Sequence, residues 1–188
     1  MYSHPRMIEA ARKLGMEAGF ALDLTTVDEE GNQLDFSQER MRAKALQLRD
    51  DDQPAIIILN PPCTMFSSLQ QLNIAKMQDE DISARAKDAV THFAFAVMLY
   101  MRQSRGNRLF ALEHPVGALS WTLQLAALLL QCPGARRVNF DFCMRRMESE
   151  DENGVAPAKK MTSIYTNSPS LVNAFNQHQR NGEHRMSR

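Results

Sequence analysis

The chain has 188 residues, of which 44% are hydrophobic and 23% charged, and its 22 basic residues balance 22 acidic ones. This length and composition predict a single globular domain with a sizeable core. A formal charge of zero excludes a global field that would draw the chain to nucleic acid or to an anionic membrane. Any contact with nucleic acid therefore needs a local basic patch.

The sequence predicts an intracellular protein, cytoplasmic or nuclear, with no membrane partner. No apolar run approaches the roughly 18 residues of a membrane span, and the N-terminus lacks the apolar core of a signal peptide. Cys63, Cys132 and Cys143 form an odd set without paired spacing, which favours reduced thiols over disulfides. We expect one domain over residues 1–175, followed by a polar tail over residues 176–188.

Helices and strands are predicted to alternate along the chain. The expected helices cover residues 5–17, 36–48, part of 65–77, 82–102, 119–131 and a short stretch from Ser168 or Pro169. The expected strands cover residues 20–25, 55–59, 108–112, 138–142 and 161–166, with charged loops at 50–52 and 148–160. This alternation favours an α/β fold: a single three-layer Rossmann-like domain with a doubly wound, mostly parallel sheet.

The most informative predicted strand covers residues 55–59, which read AIIIL. Such a short apolar run, rich in β-branched residues, is typical of a strand that is buried on both faces. Pro61 and Pro62 end it, because proline cannot donate a ladder hydrogen bond. Cys63 then stands just past the carboxyl end, where ligands bind in open α/β sheets. Its thiol is either a nucleophile or a small buried apolar group.

A second polar residue, Glu113, follows the strand predicted over residues 108–112. If the two strands are neighbours, right-handed crossovers place Cys63 and Glu113 at the same edge of the sheet. A thiolate and a carboxylic acid at one edge suit covalent catalysis on an electron-poor ring. The thiolate adds to carbon 6 of a pyrimidine, the acid engages ring N3, and carbon 5 becomes nucleophilic enough to accept a methyl group.

These two stretches resemble motifs of the cytosine-5 DNA methyltransferases. Residues 61–67 (PPCTMFS) are similar to the family's Pro-Pro-Cys-Gln-x-Phe-Ser motif, and residues 109–115 (LFALEHP) to its Glu-Asn-Val segment. The resemblance implies a Rossmann-like methyltransferase fold, S-adenosylmethionine as the cofactor, and a flipped cytosine in nucleic acid as the substrate. It favours DNA over RNA, with Cys63 as the nucleophile and Glu113 as the group that engages the ring.

The resemblance also implies binding roles for eight further residues. The cofactor would be held by Ser3, Asp23, Pro61 and Pro62. The substrate would be held by Thr64, Ser67, His114 and Arg145. Among these, Asp23 is similar in position to the acidic residue that holds the cofactor ribose.

A second function, from a different class, stays open: a catalytically silent module of the same fold that binds nucleic acid or takes part in assembly. Two departures from the family favour it. Residues 2–6 lack the glycines that cradle the cofactor in the family, and too few residues follow the last predicted strand to form a target-recognition domain. A homo-oligomer or a partner chain could supply the recognition surface instead.

Three further features have a structural and a functional interpretation. The basic pairs Arg136-Arg137, Arg145-Arg146 and Lys159-Lys160 are either nucleic-acid contacts or solvated surface. Trp121 is predicted as a core anchor, with base stacking at the mouth of the site as the alternative. Zinc binding by Cys143, His178 and His184 has no supporting spacing.

Overall fold

A computed structural model describes residues 6–17, 19–67, 77–141, 148–151, 154–157 and 161–176. The chain divides into two compact units, Met1–Ala55 and Ile56–Arg188. The single domain expected over residues 1–175 stays a prediction. Each unit is described by itself below.

The first unit contains helix α1, Arg6–Lys13, and helix α2, Glu39–Asp52. Helix α1 lies within the stretch predicted to be helical, and α2 begins within the second such stretch but continues through the three aspartates that were expected to form a break. Met41, Ala45 and Arg49 explain this extension, because they form a buried row at i, i+4 spacing that holds the last turns in place. The helix ends at Gln53, which has a left-handed backbone with φ of 46°.

The predicted strand over residues 20–25 is wrong. In the described part of this segment the backbone forms turns, and β-pairing begins only at an isolated bridge between Val27 and Gln33. That bridge closes a tight loop in which Gly31 has φ of 80°, a conformation that glycine adopts without strain. Asp28 fixes the loop, because its Oδ1 accepts hydrogen bonds from the Asn32 N–H at 2.8 Å and the Glu30 N–H at 3.1 Å.

The second unit contains the remaining elements in an α/β order. Its strands are β1 Ile56–Leu59, β2 Leu109–Pro115, β3 Arg136–Asp141, β4 Glu148–Asp151, β5 Gly154–Pro157 and β6 Met161–Thr166. Its helices are α3 Asp79–Arg105, α4 Gln124–Leu130 and α5 Pro169–Asn176. Short 3₁₀ turns cover Thr64–Phe66 and Leu119–Thr122.

The main sheet has the strand order β1-β2-β6-β3, and β4 and β5 form a separate two-stranded sheet. The predicted α/β class is confirmed, but the prediction of a mostly parallel sheet is wrong. Only β1 and β2 pair in parallel, while β6 runs antiparallel to both β2 and β3. The reason is the connection from β3 to β6, whose described residues form the β4–β5 hairpin and contain no crossover helix of the kind that parallel strands need.

Strand β1 is an edge strand, and this corrects the prediction that both of its faces are buried. Ile56 and Ile58 are 38% and 45% exposed, although Leu59 packs against the core. The apolar run AIIIL predicts a strand but cannot indicate its place in the sheet order. Ile56 and Ile58 share one face of β1, opposite to that of Leu59, and this face stays accessible to water.

Helices cover both faces of the sheet. On one face α3 and α4 enclose a core that contains Phe93, Tyr100 and Phe110, each 0% exposed. On the other face Leu171 and Phe175 of α5 pack against the sheet. Successive residues of a strand point to opposite faces, so β2 contributes Phe110 and Leu112 to the first core and Ala111 to the second.

Candidate active site at the carboxyl ends of β1 and β2

The parallel pair β1 and β2 brings the two predicted catalytic segments to one edge of the sheet. Their register pairs Leu59 with Leu112, the last matched residues before the strand ends diverge. Asn60 and Glu113 are the next residues on the two strands. Cys63 follows Asn60 by three positions, so the thiol and the carboxylate belong to the same edge, as the right-handed crossover rule predicts.

Glu113 is held by side chains from two neighbouring strand segments. Its Oε1 accepts a hydrogen bond from the Thr162 hydroxyl at 2.6 Å, and its Oε2 accepts one from the Asn60 amide at 3.2 Å. Thr162 belongs to β6 and is 0% exposed, whereas Asn60 is exposed. The carboxylate is therefore fixed from the buried side by Thr162 and from the open side by Asn60. This clamp, Asn60–Glu113–Thr162, defines the orientation of the acid at the sheet edge.

Cys63 lies on a short segment that crosses the end of the β1–β2 pair. Asn60 contacts Glu113 on one face of the sheet, and Phe66 packs in the core on the other face. The residues between them, with Cys63 in the middle, must pass over the strand ends. The half-buried Cys63 opens the 3₁₀ turn, whose first hydrogen bond joins the Phe66 N–H to the Cys63 carbonyl at 3.0 Å.

Pro61 and Pro62 are half-buried and lead directly into this turn, and Thr64 and Ser67 lie on it. Thr64 is exposed and Ser67 is half-buried, so Thr64 is the more accessible of the two predicted substrate contacts. The helix expected after Cys63 is a single 3₁₀ turn in the described residues, and positions 68–76 lie outside them. The structure therefore gives no α-helix macrodipole at Cys63 within the described part of the chain.

His114 is not placed at the edge as a substrate contact; the structure buries it to 1% exposure. Because it follows Glu113 directly in β2, its side chain points to the opposite face of the sheet. There its Nδ1 lies 2.5 Å from the Ser120 hydroxyl, and the ring packs against Phe66, Phe93 and Trp121 at centroid distances of 5.6–5.7 Å. This packing anchors the turn that follows Cys63, because Phe66 is part of the turn.

Trp121 occupies the position of a core anchor rather than that of an exposed stacking platform. Its indole N–H donates to the Pro115 carbonyl at 2.7 Å, and its ring lies 4.7 Å from that of Tyr165. The side chain is half-buried against the main core. These contacts therefore agree with the interpretation of Trp121 as a core anchor.

Asp23, the residue expected to hold the cofactor ribose, takes part in a local turn. Asp23 opens a turn and does not follow a strand, and its Oδ1 accepts hydrogen bonds from the Thr25 N–H at 2.8 Å and the Thr25 hydroxyl at 2.7 Å. These local bonds explain the residue as the first position of a turn. Ser3 lies outside the described residues, as does Arg145.

Asn60 and Thr162 are the residues that the motif-based analysis missed. Asn60 directly precedes the proline pair, so its closeness to the motif is a usable signal. Thr162 is 49 residues away from Glu113 in sequence. Its role follows only from the placement of β6 beside β2, which the local sequence does not indicate.

Among the described residues, no group of three or more His, Cys, Asp or Glu side chains is arranged to hold a metal ion. The proposed zinc ligands Cys143, His178 and His184 lie outside the described residues. Within the described part of the chain, no helix combines the length and apolarity needed to cross a membrane. No protein-family model, curated protein or solved structure matches this chain.

Proposed function

We propose that the edge formed by Cys63 and Glu113 binds a cytosine ring of nucleic acid, DNA in preference to RNA, and that Cys63 adds to carbon 6 of that ring. The observation that supports this proposal is the Asn60–Glu113–Thr162 clamp. It fixes a carboxylate at the carboxyl ends of β1 and β2, where Cys63 also lies. Covalent catalysis needs such a nucleophile and a positioned ring-binding group over one crevice.

Activation of the cytosine ring needs no group besides Cys63 and Glu113. The Cys63 thiolate forms a sulfur–carbon bond at carbon 6, and the electrons of the 5,6 double bond move to carbon 5. Glu113 engages the N3 and N4 edge of the cytosine, where a carboxylate accepts the N4 amino donor. Carbon 5 then takes an electrophile. A solvent water molecule takes the carbon-5 proton, and the electrons of that C–H bond restore the double bond as the thiolate leaves.

With a methyl group as the electrophile, this series of steps is cytosine-5 methylation, the activity implied by the resemblance to the cytosine-5 methyltransferases. The proposal includes S-adenosylmethionine as the methyl donor and a Rossmann-like arrangement around the β1–α3–β2 unit. The unit has the strand–helix–parallel strand order of such folds. The donor itself would supply the methyl cation equivalent that carbon 5 attacks.

A second candidate function is the catalytically silent nucleic-acid module, and one observation favours it. Asp23 uses its carboxylate in a local turn with Thr25 and does not follow a strand. If no other residues bind the donor, the ring-binding edge would hold a base without modifying it. The two candidates share the crevice and differ in whether a methyl group is transferred.

Trapping with 5-fluorocytosine separates the two candidates. The protein is incubated with S-adenosylmethionine and an oligodeoxynucleotide that contains a single 5-fluorocytosine. After methyl transfer, carbon 5 carries fluorine and methyl and has no proton to lose, so the sulfur–carbon bond remains. The methyltransferase predicts a covalent adduct, seen as a mass increase of the intact protein, that Cys63→Ser abolishes.

A matched control is Cys132→Ser, because Cys132 is buried on α4's side of the core and does not belong to the strand edge. This variant should still form the adduct. A wild-type protein that binds both the donor and the oligonucleotide but never traps would leave the silent module as the function. Measuring both binding steps separately, by calorimetry, makes that outcome decisive.

A further inference from the structure

Arg137 is an exposed side chain whose guanidinium is nevertheless held in one place. Its Nε and Nη2 donate to the Ser163 hydroxyl at 3.0 and 2.9 Å, and Nη2 also donates to the Val116 carbonyl at 3.1 Å. The guanidinium carbon lies 5.1 Å from the centre of the Trp121 ring and 5.7 Å from that of Tyr165. These contacts orient the planar group before any ligand arrives.

The charge of Arg137 is not neutralised within the described part of the chain. The two ion pairs recorded among those residues are Lys44–Asp28 and Arg49–Asp50, both in the first unit. The acceptors of Arg137 are a hydroxyl and a backbone carbonyl, which are neutral. Within the described residues its Nη1 donates no hydrogen bond, and the side chain is exposed. A fixed, uncompensated guanidinium with outward N–H groups suits a phosphate.

Ring contacts connect Arg137 with the turn that follows Cys63. The Trp121 ring lies 5.6 Å from the His114 ring, and His114 lies 5.7 Å from Phe66. Phe66 closes the 3₁₀ turn through its bond to the Cys63 carbonyl. These rings lie on the face of the sheet opposite to the Glu113 side chain. The bond to the Val116 carbonyl nevertheless places the Arg137 guanidinium just past the end of β2, the same end at which Glu113 lies.

We propose that Arg137 binds a backbone phosphate of the nucleic acid whose cytosine occupies the Cys63–Glu113 edge. The inference rests on the proposed function for the identity of the base site. It assigns Arg137 a phosphate contact, whereas the basic pair Arg136-Arg137 could equally have been solvated surface on the sequence alone. A strand that delivers a base to this end of the sheet carries a negative charge at every nucleotide, and the Nη1 N–H groups of Arg137 are placed there to donate to one of its phosphates.

The test measures the salt dependence of binding of a fluorescein-labelled single-stranded oligodeoxynucleotide with one central cytosine. Removal of one phosphate contact lowers the slope of log affinity against log salt by about 0.7 for single strands. Arg137→Gln should therefore reduce the slope by about 0.7, and it should weaken binding equally for all flanking sequences. Arg136→Gln is the matched control, because Arg136 is also exposed but points to the other face of β3.

A second measurement changes the oligonucleotide and does not need Arg137→Gln, in case that variant fails to fold. A methylphosphonate is placed at each backbone position in turn, which removes one charge at a time. Wild-type protein should lose affinity most at a single position near the cytosine, and Arg137→Lys should weaken that position's effect. An unchanged slope in Arg137→Gln, an equal slope loss in Arg136→Gln, a scan without a sensitive position, or no binding by wild-type protein would each overturn the inference.

This readout is independent of the proposed chemistry. A slope that depends on Arg137 in a protein that never forms a Cys63 adduct would contradict the methyltransferase and keep the phosphate contact. An adduct that forms normally while Arg137→Gln leaves the slope unchanged would keep the chemistry and contradict the phosphate contact.

Discussion

Replacing Thr162 with valine tests whether the clamp on Glu113 serves the chemistry or only the fold. Valine keeps the shape of threonine and removes the hydroxyl that donates to Glu113 at 2.6 Å. A hydrogen bond to a charged group contributes about 1.5–3 kcal/mol. If that energy holds the carboxylate in position for ring addition, its loss slows the addition step by about 10- to 100-fold, since about 1.4 kcal/mol corresponds to a tenfold change in rate.

The assay is the rate of hydrogen exchange at carbon 5 of cytosine at saturating oligonucleotide, followed by mass spectrometry in D₂O. Thr162→Ser should restore most of the rate, because serine retains the donor. The affinity for the oligonucleotide should stay close to that of wild type. A positioning role therefore appears as a lower maximal rate, and not as weaker binding.

Thr166→Val is the matched control on the same strand. Thr166 is also 0% exposed, and its hydroxyl donates at the same 2.6 Å, but to the backbone carbonyl of Phe110. Both valine variants should lose stability, by about 1–3 kcal/mol in denaturant unfolding. Only Thr162→Val should slow the exchange. An unchanged exchange rate in Thr162→Val, alongside the same stability loss as Thr166→Val, would refute the positioning role.

Two further predictions concern stability. The Asn32 N–H, and then the Lys44 ammonium, lower the pKa of Asp28 from its ordinary value of 3.8, against an opposing effect of burial. The stabilisation of its loop is therefore fully present above pH 3.8 and is lost as the pH falls through the lower folded-state pKa. The protection of the Asn32 amide, measured as its exchange rate relative to that of an unstructured peptide at the same pH, should fall across that acid range in wild type but not in Asp28→Asn, and a protection that stays constant in wild type would contradict the assignment. Phe93→Ala should destabilise the second unit by about 3–5 kcal/mol in denaturant unfolding, because Phe93 is 0% exposed in the core; a loss below 1 kcal/mol would contradict that packing.

The juxtaposition of Cys63 and Glu113 could be predicted from the sequence because it depends on local signals. An apolar run that ends in two prolines marks the end of β1, and a second apolar run leads into Glu113. Between them, the long amphipathic helix α3 supplies the crossover that makes the strands parallel. These signals act within about 60 residues of the chain and need no knowledge of the rest of the sheet.

The remainder of the site depends on the order of strands, which local patterns do not encode. The position of β6 beside β2 brings Thr162 to Glu113, and the same order leaves β1 at the edge with Ile58 exposed. The hairpin of β4 and β5 was missed because its residues are charged and small, a composition typical of loops. The burial of His114 was not foreseen, because a motif match ignores the alternation of a strand.

Asp23 illustrates how a short strand-like sequence can form a turn. Residues 20–25 are mostly apolar around this one acidic side chain, which predicts a strand, but Asp23, Thr25 and Thr26 satisfy one another's hydrogen bonds locally. Such side-chain bonds compete with the ladder bonds of a sheet. The same competition removes Asp23 from the role that its position in the sequence suggested.

The most direct test of the central claim is exchange of the carbon-5 hydrogen of cytosine in D₂O without any methyl donor. Addition of the Cys63 thiolate to carbon 6 makes carbon 5 basic enough to take a deuteron from the solvent, and elimination then returns a deuterated cytosine. The account predicts exchange by the wild-type protein and by Cys132→Ser, with no exchange above background in Cys63→Ala. Exchange that survives in Cys63→Ala, or a folded wild-type protein that binds the oligonucleotide and leaves carbon 5 unlabelled, would contradict the assignment of Cys63 as the nucleophile.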